Sequence, residues 1–337
     1  MSVFITIILT VVFLSILIIG HELGHFAAAK SLGVKIKEFG VGYPPRIAGK
    51  TYRGTLYSFN AIPFGGFVSI EGLDIDKNSE QTPENDFRRQ SFARKSLILL
   101  AGVFMNFLMA WFALFVVYSF GVPQSIYITT VFSGSAAEVV GIKNGDKISG
   151  FTSGNDFIKY IDEHAGKEIE LSIERDNQII PAKISVPEEK NKNGRLGLEL
   201  VETGIPKVGL RQGLALGFSK SWEMLGSIAS SFGYLLRHGN FGDLSGPVGI
   251  WNAVRIGDKL GFGYLLQLFS FVSLNLVFIN ILPLPALDGG RFLFLAIGKI
   301  MRRPVDYRTE AAVHSFFFAI LLFLMIIVTI KDVSRLF

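Results

Sequence analysis

"LSILIIGHELGHFAAAK", residues 14–30, places two histidines and a glutamate at the end of a run that otherwise belongs in hydrocarbon. On a helix, His21 and His25 lie four residues apart, so both imidazoles leave one face about one turn apart and can hold a single ion. Glu22, beside the first imidazole, is free to move a proton from a water to a leaving amine instead of binding metal. A soluble helix can carry H-E-x-x-H as ordinary surface polarity. At membrane depth the same groups are costly unless compensated, and side chains this short reach the interface poorly.

The membrane reading comes from composition. Half of the 337 residues are hydrophobic, 31 of them are Phe, and mean hydropathy is positive, which excludes an ordinary soluble protein of two domains. Four stretches lack Asp, Glu, Lys and Arg: Met1–Gly20, Ser96–Phe120, Leu260–Leu287 and Ala311–Ile330. Each is long enough to cross about 30 Å of hydrocarbon as a helix. Met1–Gly20 has no basic start and a long apolar core, so it reads as a retained span and not as a signal peptide. Lys and Arg crowd the first connection, from Lys30 to Lys95, and the short third one, from Arg291 to Arg308, so both are expected in the cytoplasm. The N-terminus, the region from about Val122 to Lys259 and the C-terminus are then expected outside. The net charge of +5 is thereby a topology signal and asks for no nucleic acid. With no cysteine, disulfides and thiolate metal sites are excluded.

The chain divides accordingly into a first span with the histidine motif (1–30), a cytoplasmic loop (31–95), a second span (96–121), an outer domain (122–203), a connector (204–259), a third span (260–290), a short loop (291–310) and a fourth span (311–331). Within the first loop, Gly, aromatic and β-branched residues punctuated by Pro44, Pro45 and Pro63 read as short strands and hairpins. Residues 60–70, "NAIPFGGFVSI", are apolar for a loop. They suit either a sheet packed on the membrane face or a strand edge that dips toward the bilayer and meets an extended peptide. "LDIDKNSEQTPENDFRRQ" follows as a polar surface loop. The outer domain shows a short helix in "NDFIKYIDEHAG", a tight hairpin turn around Asp176 and Asn177, and a last strand in "GRLGLEL". In the connector, Leu214, Phe218, Trp222, Leu225, Ala229, Phe232 and Leu236 mark one face of an amphipathic helix across Val208–Arg237. That helix is expected in the membrane interface or against the outer domain.

Two histidines leave a catalytic zinc incomplete, because such a site keeps three protein ligands and one open position. "SLNLVFINILPLPALDGGR" supplies the third candidate, Asp288, at the end of an uncharged span. Pro283, Pro285, Gly289 and Gly290 break the helix there and let the carboxylate turn inward. The topology ends the first and third spans on one side, which puts His21, His25 and Asp288 at one level. Zn²⁺ held by two neutral imidazoles and one carboxylate stays net positive and acidifies a water. Asn280 and Asn106 are further amides in apolar surroundings, suited either to a scissile segment or oxyanion, or to tying helices together. His164, His238 and His314 read as unremarkable, His314 as interfacial rather than a ligand.

The histidine motif at 21–25, the N280-to-G290 segment, "SGPVGI" at Ser245–Ile250 and "GIKNGDKI" at 141–148 together resemble the site-2 proteases, zinc metalloproteases that cut within membranes. The likeness covers essentially the whole chain in the family's motif order, and is to the regulator-of-sigma-E protease type with a single PDZ domain. It implies a polytopic α-helical membrane protein of four transmembrane helices, with a membrane-associated β element and an inserted extracytoplasmic α+β PDZ domain. It further implies that His21, His25 and Asp288 hold Zn²⁺, that Glu22 is the general base, that Asn280 helps bind substrate, and that Phe64, Gly65, Gly66 and Phe67 belong to a β element pairing with unwound substrate. Asn106 is added as a substrate-binding candidate. "SGSAAEVVGIKNGDKI" resembles the PDZ pattern, with Val140 where Ala is common, and Val103 stands where the family often has Pro.

The expected activity is hydrolysis of a peptide bond in the transmembrane segment of single-pass proteins, for example an anti-sigma factor or remnant signal peptides, after an earlier cut by a site-1 protease. The expected setting is the bacterial cytoplasmic (inner) membrane, with the site near the cytoplasmic face and the PDZ domain outside. The competing reading is a catalytically silent PDZ-bearing scaffold with a structural metal, which would call for a fourth protein ligand that the sequence does not offer. A metal transporter would need polar residues along several spans.

Overall fold

The computed structural model describes residues 3–73, 85–151, 153–175, 178–189, 194–239, 246–303 and 305–334. They form two units, Met1–Val116 with Gly213–Phe337, and Val117–Gln212.

In the first unit four helices are long and apolar enough to span a membrane: α1 (Val3–Ser31), α2 (Phe92–Phe120), α7 (Phe262–Ile281) and α9 (Tyr307–Ser334). At 1.5 Å per residue, His21 stands about 27 Å from the start of α1, near the far edge of a 30 Å hydrocarbon layer. The helix continues unbroken through the motif, eleven residues beyond the uncharged stretch read from sequence. α1 and α2 cross closely because Gly20 and Gly24 share one face. A Cβ on Gly24 would stand 2.3 Å from the Ala101 carbonyl oxygen, and one on Gly20 would stand 2.1 Å from Met109 Sδ. Small residues at this spacing are how membrane helices bring their backbones together. α7 joins the other side of α2 through buried hydroxyls: Ser270 Oγ donates to Ala110 O (3.1 Å) and Ser273 Oγ to Asn106 O (2.8 Å).

The third span is shorter than its uncharged stretch. α7 stops at Ile281, residues 282–287 leave the helix, and a separate helix, α8 (Asp288–Ile300), starts at the carboxylate itself. Pro283 and Pro285 cannot continue a helix, and Ala286 takes φ 80°. The glycines that follow are obligatory here. A Cβ on Gly289 would lie 2.3 Å from Leu282 O and one on Gly290 2.2 Å from Leu284 O, since the loop folds back over the new helix.

The amphipathic connector is α5 (Leu210–His238), and its apolar face turns to the spans: Phe218 and Trp222 pack edge-on against Phe107, Ile228 joins Ala110 and Leu274, and Phe232 meets Phe278. An unforeseen helix, α6 (Pro247–Leu260), follows. Asp332, near the end of α9, accepts the N–H groups of Gly246 (2.7 Å) and Gly249 (3.0 Å) and so closes the N-terminus of α6.

The loop after α1 forms two long strands, β1 (Ile36–Tyr52) and β2 (Thr55–Ile70), where short ones were expected. The pairing is repeatedly bulged, and residues 38–41 of β1 pair with both halves of β2: Gly40 faces Phe67 and Ser58, Val41 faces Gly66 and Phe59. The strip therefore curls into four segments, with 66–70 along one edge. That edge lies on α1, where Gly65 N–H donates to Ser15 Oγ (3.1 Å) and Gly66 packs against Ile19. Most of the polar loop after it falls outside the described residues.

The second unit is an antiparallel sheet of β3 (Val122–Val131), β4 (Lys147–Ile148), β5 (Glu168–Arg175), β6 (Gln178–Ser185) and β7 (Leu198–Ile205), in the order β6-β5-β4-β3-β7. Helices α3 (Ala136–Val139) and α4 (Gly154–Glu163) are capped by Ser135 and Ser153. β5 alternates Ile169, Leu171 and Ile173 into a core shared with Ile126, Ile128 and Phe157. The turn expected at Asp176 and Asn177 lies outside the described residues. Asp146, of the GD pair, is 2% exposed and receives Arg175 Nε and Nη2 at 2.7 Å each and Lys143 N–H at 2.8 Å. Burial opposes its charge, but the guanidinium and the backbone donor more than offset that, holding the carboxyl below the ordinary range.

Candidate metal centre

Three chain segments meet at one point. His21 Nε2 lies 2.9 Å and His25 Nε2 3.2 Å from Asp288 Oδ2, and the two Nε2 atoms are 3.1 Å apart. These are the His, Asp and Glu side chains that cluster closely enough to share an ion among the described residues. Two ligands on one tetrahedral zinc, at about 2.0–2.1 Å each, stand about 3.3 Å from one another. The observed separations are within a few tenths of that.

The tautomers agree with metal binding. His25 Nδ1 lies 2.8 Å from the carbonyl oxygen of Ile98, to which it must donate, leaving the Nε2 lone pair directed at the cluster. His21 Nδ1 is 3.2 Å from the side-chain amide of Asn106, whose Oδ1 is buried without a partner. Amide oxygen and nitrogen exchange by a half-turn. With Oδ1 toward the ring, Nδ1–H donates to it and the second lone pair also faces the centre. Asp288 Oδ2, buried among the rings, is the third donor. Donor set, spacing and orphaned atoms fit one Zn²⁺.

Gly102 of α2 floors the site. A Cβ there would lie 2.4 Å from His25 Nε2 and 2.7 Å from His21 Nε2, so only hydrogen leaves the rings their space. Glu22 stands apart from the three donors. Its Oε2 accepts the Val68 N–H at 3.1 Å, which ties the carboxylate to the edge segment of β2.

The other sequence candidates are spread along the same strip and helix. Gly65 and Gly66 are buried against Ile18 and Ile19 of α1, Phe67 stacks on Tyr43, and Phe64 is exposed. Asn280 is half-buried one residue before the end of α7, and no hydrogen bond links it to the three donors among the described residues. Asn106 is fully buried, with its side-chain amide against His21. His314, set aside from sequence, proves to hold the loop before Asp288: its Nδ1 accepts the Ala286 N–H at 2.7 Å. Only its position inside an apolar span could have signalled that.

Two imidazoles and a carboxylate close enough to share an ion, with a glutamate beside them, set into helices long enough to cross a bilayer, have the makeup of a membrane metallopeptidase site. Comparison with known proteins agrees. A family model described as Peptidase family M50 matches residues 9–324, and the chain belongs to that family, the zinc-dependent site-2 proteases. It is 31% identical over 351 residues to a Fusobacterium nucleatum protein named as a zinc metalloprotease, covering 98% of this chain and 99% of the relative. Against one of the same description from Clostridium acetobutylicum it is 32% identical over 339 residues, 98% of each chain. With the regulator of sigma-W protease RasP of Bacillus subtilis it shares 26% identity over 419 residues, 98% of this chain and 99% of the relative.

Proposed function

We propose that the protein cleaves a peptide bond inside the transmembrane segment of single-pass membrane proteins, with His21, His25 and Asp288 as zinc ligands and Glu22 as general base. The observation that carries the reading is the meeting of the three donors near the end of α1, with Glu22 bonded to a strand edge beside them. Bound there, zinc supplies Lewis acidity to the scissile carbonyl and to a water.

A helical substrate hides its carbonyls in its own hydrogen bonds, so it must unwind before it can react. The edge at 66–70 offers replacement partners as a strand. Glu22 takes the Val68 N–H as its own hydrogen bond. A substrate carbonyl that takes this donor releases the carboxylate to accept a proton from water and pass it to the leaving amine. Asn106 then holds the His21 ring, and Asn280 and Phe64 remain free to contact substrate.

The charge pattern of the connecting loops supports a site on the cytoplasmic side of a bacterial inner membrane, with the second unit outside. The GD pair, the capped helix α4 and a groove of about 350 Å³ between α4 and β7 support reading that unit as a PDZ module. Such a module would screen ectodomains, so that substrates trimmed by an earlier protease enter. The RasP relative, named for sigma-W regulation, supports anti-sigma factors as one substrate class.

The test is Glu22→Gln in purified, zinc-loaded protein with a single-pass model substrate. Zinc should stay bound while cleavage falls by about 10²–10⁴-fold. Cleavage at the wild-type rate would refute the assignment.

A further inference from the structure

The start of α2, α8 and the start of α9 line an open cavity of about 1650 Å³ that reaches Ala286 in the loop before Asp288. Ordinary small-molecule pockets hold about 300–1,000 Å³. Its wall is apolar where Phe92 and Leu99 of α2 face Phe294 of α8 and Phe318 of α9. Its rim is cationic: Lys95, Arg291, Lys299, Arg302, Arg303 and Arg308 line it, with Arg88, itself paired to Asp86, and Glu310 is the one carboxylate among the described lining residues. Between wall and rim stands His314. Because its Nδ1 accepts the Ala286 N–H, the proton of the neutral ring is on Nε2, and that buried donor has no hydrogen-bond partner, Glu310 Oε1 being 3.8 Å away.

We propose that this cavity binds one anionic phospholipid, its phosphate among the cations and its acyl chains along the Phe and Leu wall. The proposal uses the membrane placement argued above but not the catalytic assignment. Retention of a loop in the cytoplasm requires only that Lys and Arg lie near the span ends. It does not require them to converge with aromatic residues of three helices around one space. Free phosphate would satisfy the rim and leave the wall bare. A zwitterionic lipid would cover the wall but bring its own cation to a rim already positive. An acidic peptide would answer the charge and leave the aromatic wall unfilled.

The experiment uses full-length, zinc-loaded protein in mixed micelles containing equal phosphatidylcholine and phosphatidylglycerol, with bound lipid counted by native mass spectrometry. Wild type should carry phosphatidylglycerol in clear preference. Each cation beside an anionic headgroup contributes a factor of about five, so Lys299→Gln with Arg303→Gln should lower the preference about thirty-fold. Both side chains are exposed, which keeps folding out of the comparison. The same charge removed at the tip of the β strip, Lys50→Gln with Arg53→Gln, should leave the preference intact. Equal loss in that control would overturn the cavity as the site, as would the absence of any preference. Displacement of the lipid by inorganic phosphate or by oligoglutamate at equal concentration would overturn the phospholipid as occupant. Glu22→Gln protein should bind lipid like wild type, so that failure of the proteolytic reading shows separately.

Discussion

Gly102→Ala puts a methyl group where the two imidazoles converge. The new Cβ would stand 2.4 Å from His25 Nε2 and 2.7 Å from His21 Nε2, whereas ordinary contact begins near 3.4 Å. The rings must therefore retreat by about 1.0 Å and about 0.7 Å, against a tolerance of about 0.2 Å for metal–ligand distances. The helices cannot absorb the shift by separating cheaply, because α1 already touches the Ala101 carbonyl at Gly24. Overpacking of this kind costs about 1–3 kcal/mol in stability. Zinc affinity should suffer more: losing a supporting contact to a ligand already costs 10–100-fold, and here the ligands themselves move, so about 100-fold or more is expected. Chelator competition measures the affinity, metal analysis the stoichiometry and a model substrate the cleavage. Val103→Ala, which trims the buried neighbour, is the comparison, since it lowers stability by a similar amount without approaching the rings. If Gly102→Ala binds zinc and cleaves as well as Val103→Ala does, the placement of α2 under the histidines is wrong.

Three further outcomes follow from contacts elsewhere. His314→Leu leaves the Ala286 N–H buried and unpaired at a cost of about 1–3 kcal/mol and loosens the loop that presents Asp288, so chelator competition should show weaker zinc binding, and His314→Gln, which keeps an acceptor, should recover part of it. Asp332→Ala removes the acceptor shared by Gly246 and Gly249 and should destabilise the protein by about 1–2 kcal/mol in denaturant unfolding, with Asp332→Asn losing less. Asp146 titrates below its unfolded value, so its contribution is complete above about pH 3.9 and is lost as pH falls from there through the lower native value. Protection of the β5 amides in the full chain, relative to their intrinsic exchange rates, should fall over that window, and Asp146→Asn, which removes the charged partner of a guanidinium that keeps Gly141 O, should cost about 1–3 kcal/mol at neutral pH.

What could be read from the sequence, and what could not, divides along a physical line. The four spans were legible because hydrocarbon admits few charges, which leaves a pattern visible in one dimension. The three donors were legible for a related reason: ionisable groups at membrane depth need partners, and Asp288 was the conspicuous carboxylate outside the histidine motif at the level of the histidines. Helix ends were read less well, since absence of charge does not measure helix length. α1 continues as a helix past its charged motif, whereas the third span loses its helix at Pro283 while staying uncharged. The short helices α6 and α8 were missed because their amphipathic runs sit beside longer apolar ones that dominate the pattern. The supporting contacts were out of reach altogether. That Asn106 meets His21, that Gly102 makes room for both rings, and that Val68 holds Glu22 depend on how α1 crosses α2 and where the bulged strip lies on α1. The small residues that set that crossing, Gly20 just before the histidine motif and Gly24 within it, were in plain view. Their spacing of four matches that of His21 and His25, so one turn of helix supplies both the close approach of α2 and the two imidazoles that the approach then confines. A substitution that widens the crossing at Gly20 or Gly24 should therefore weaken the metal site even though it touches neither imidazole, whereas Gly102→Ala tests the same arrangement by pressing on both rings directly.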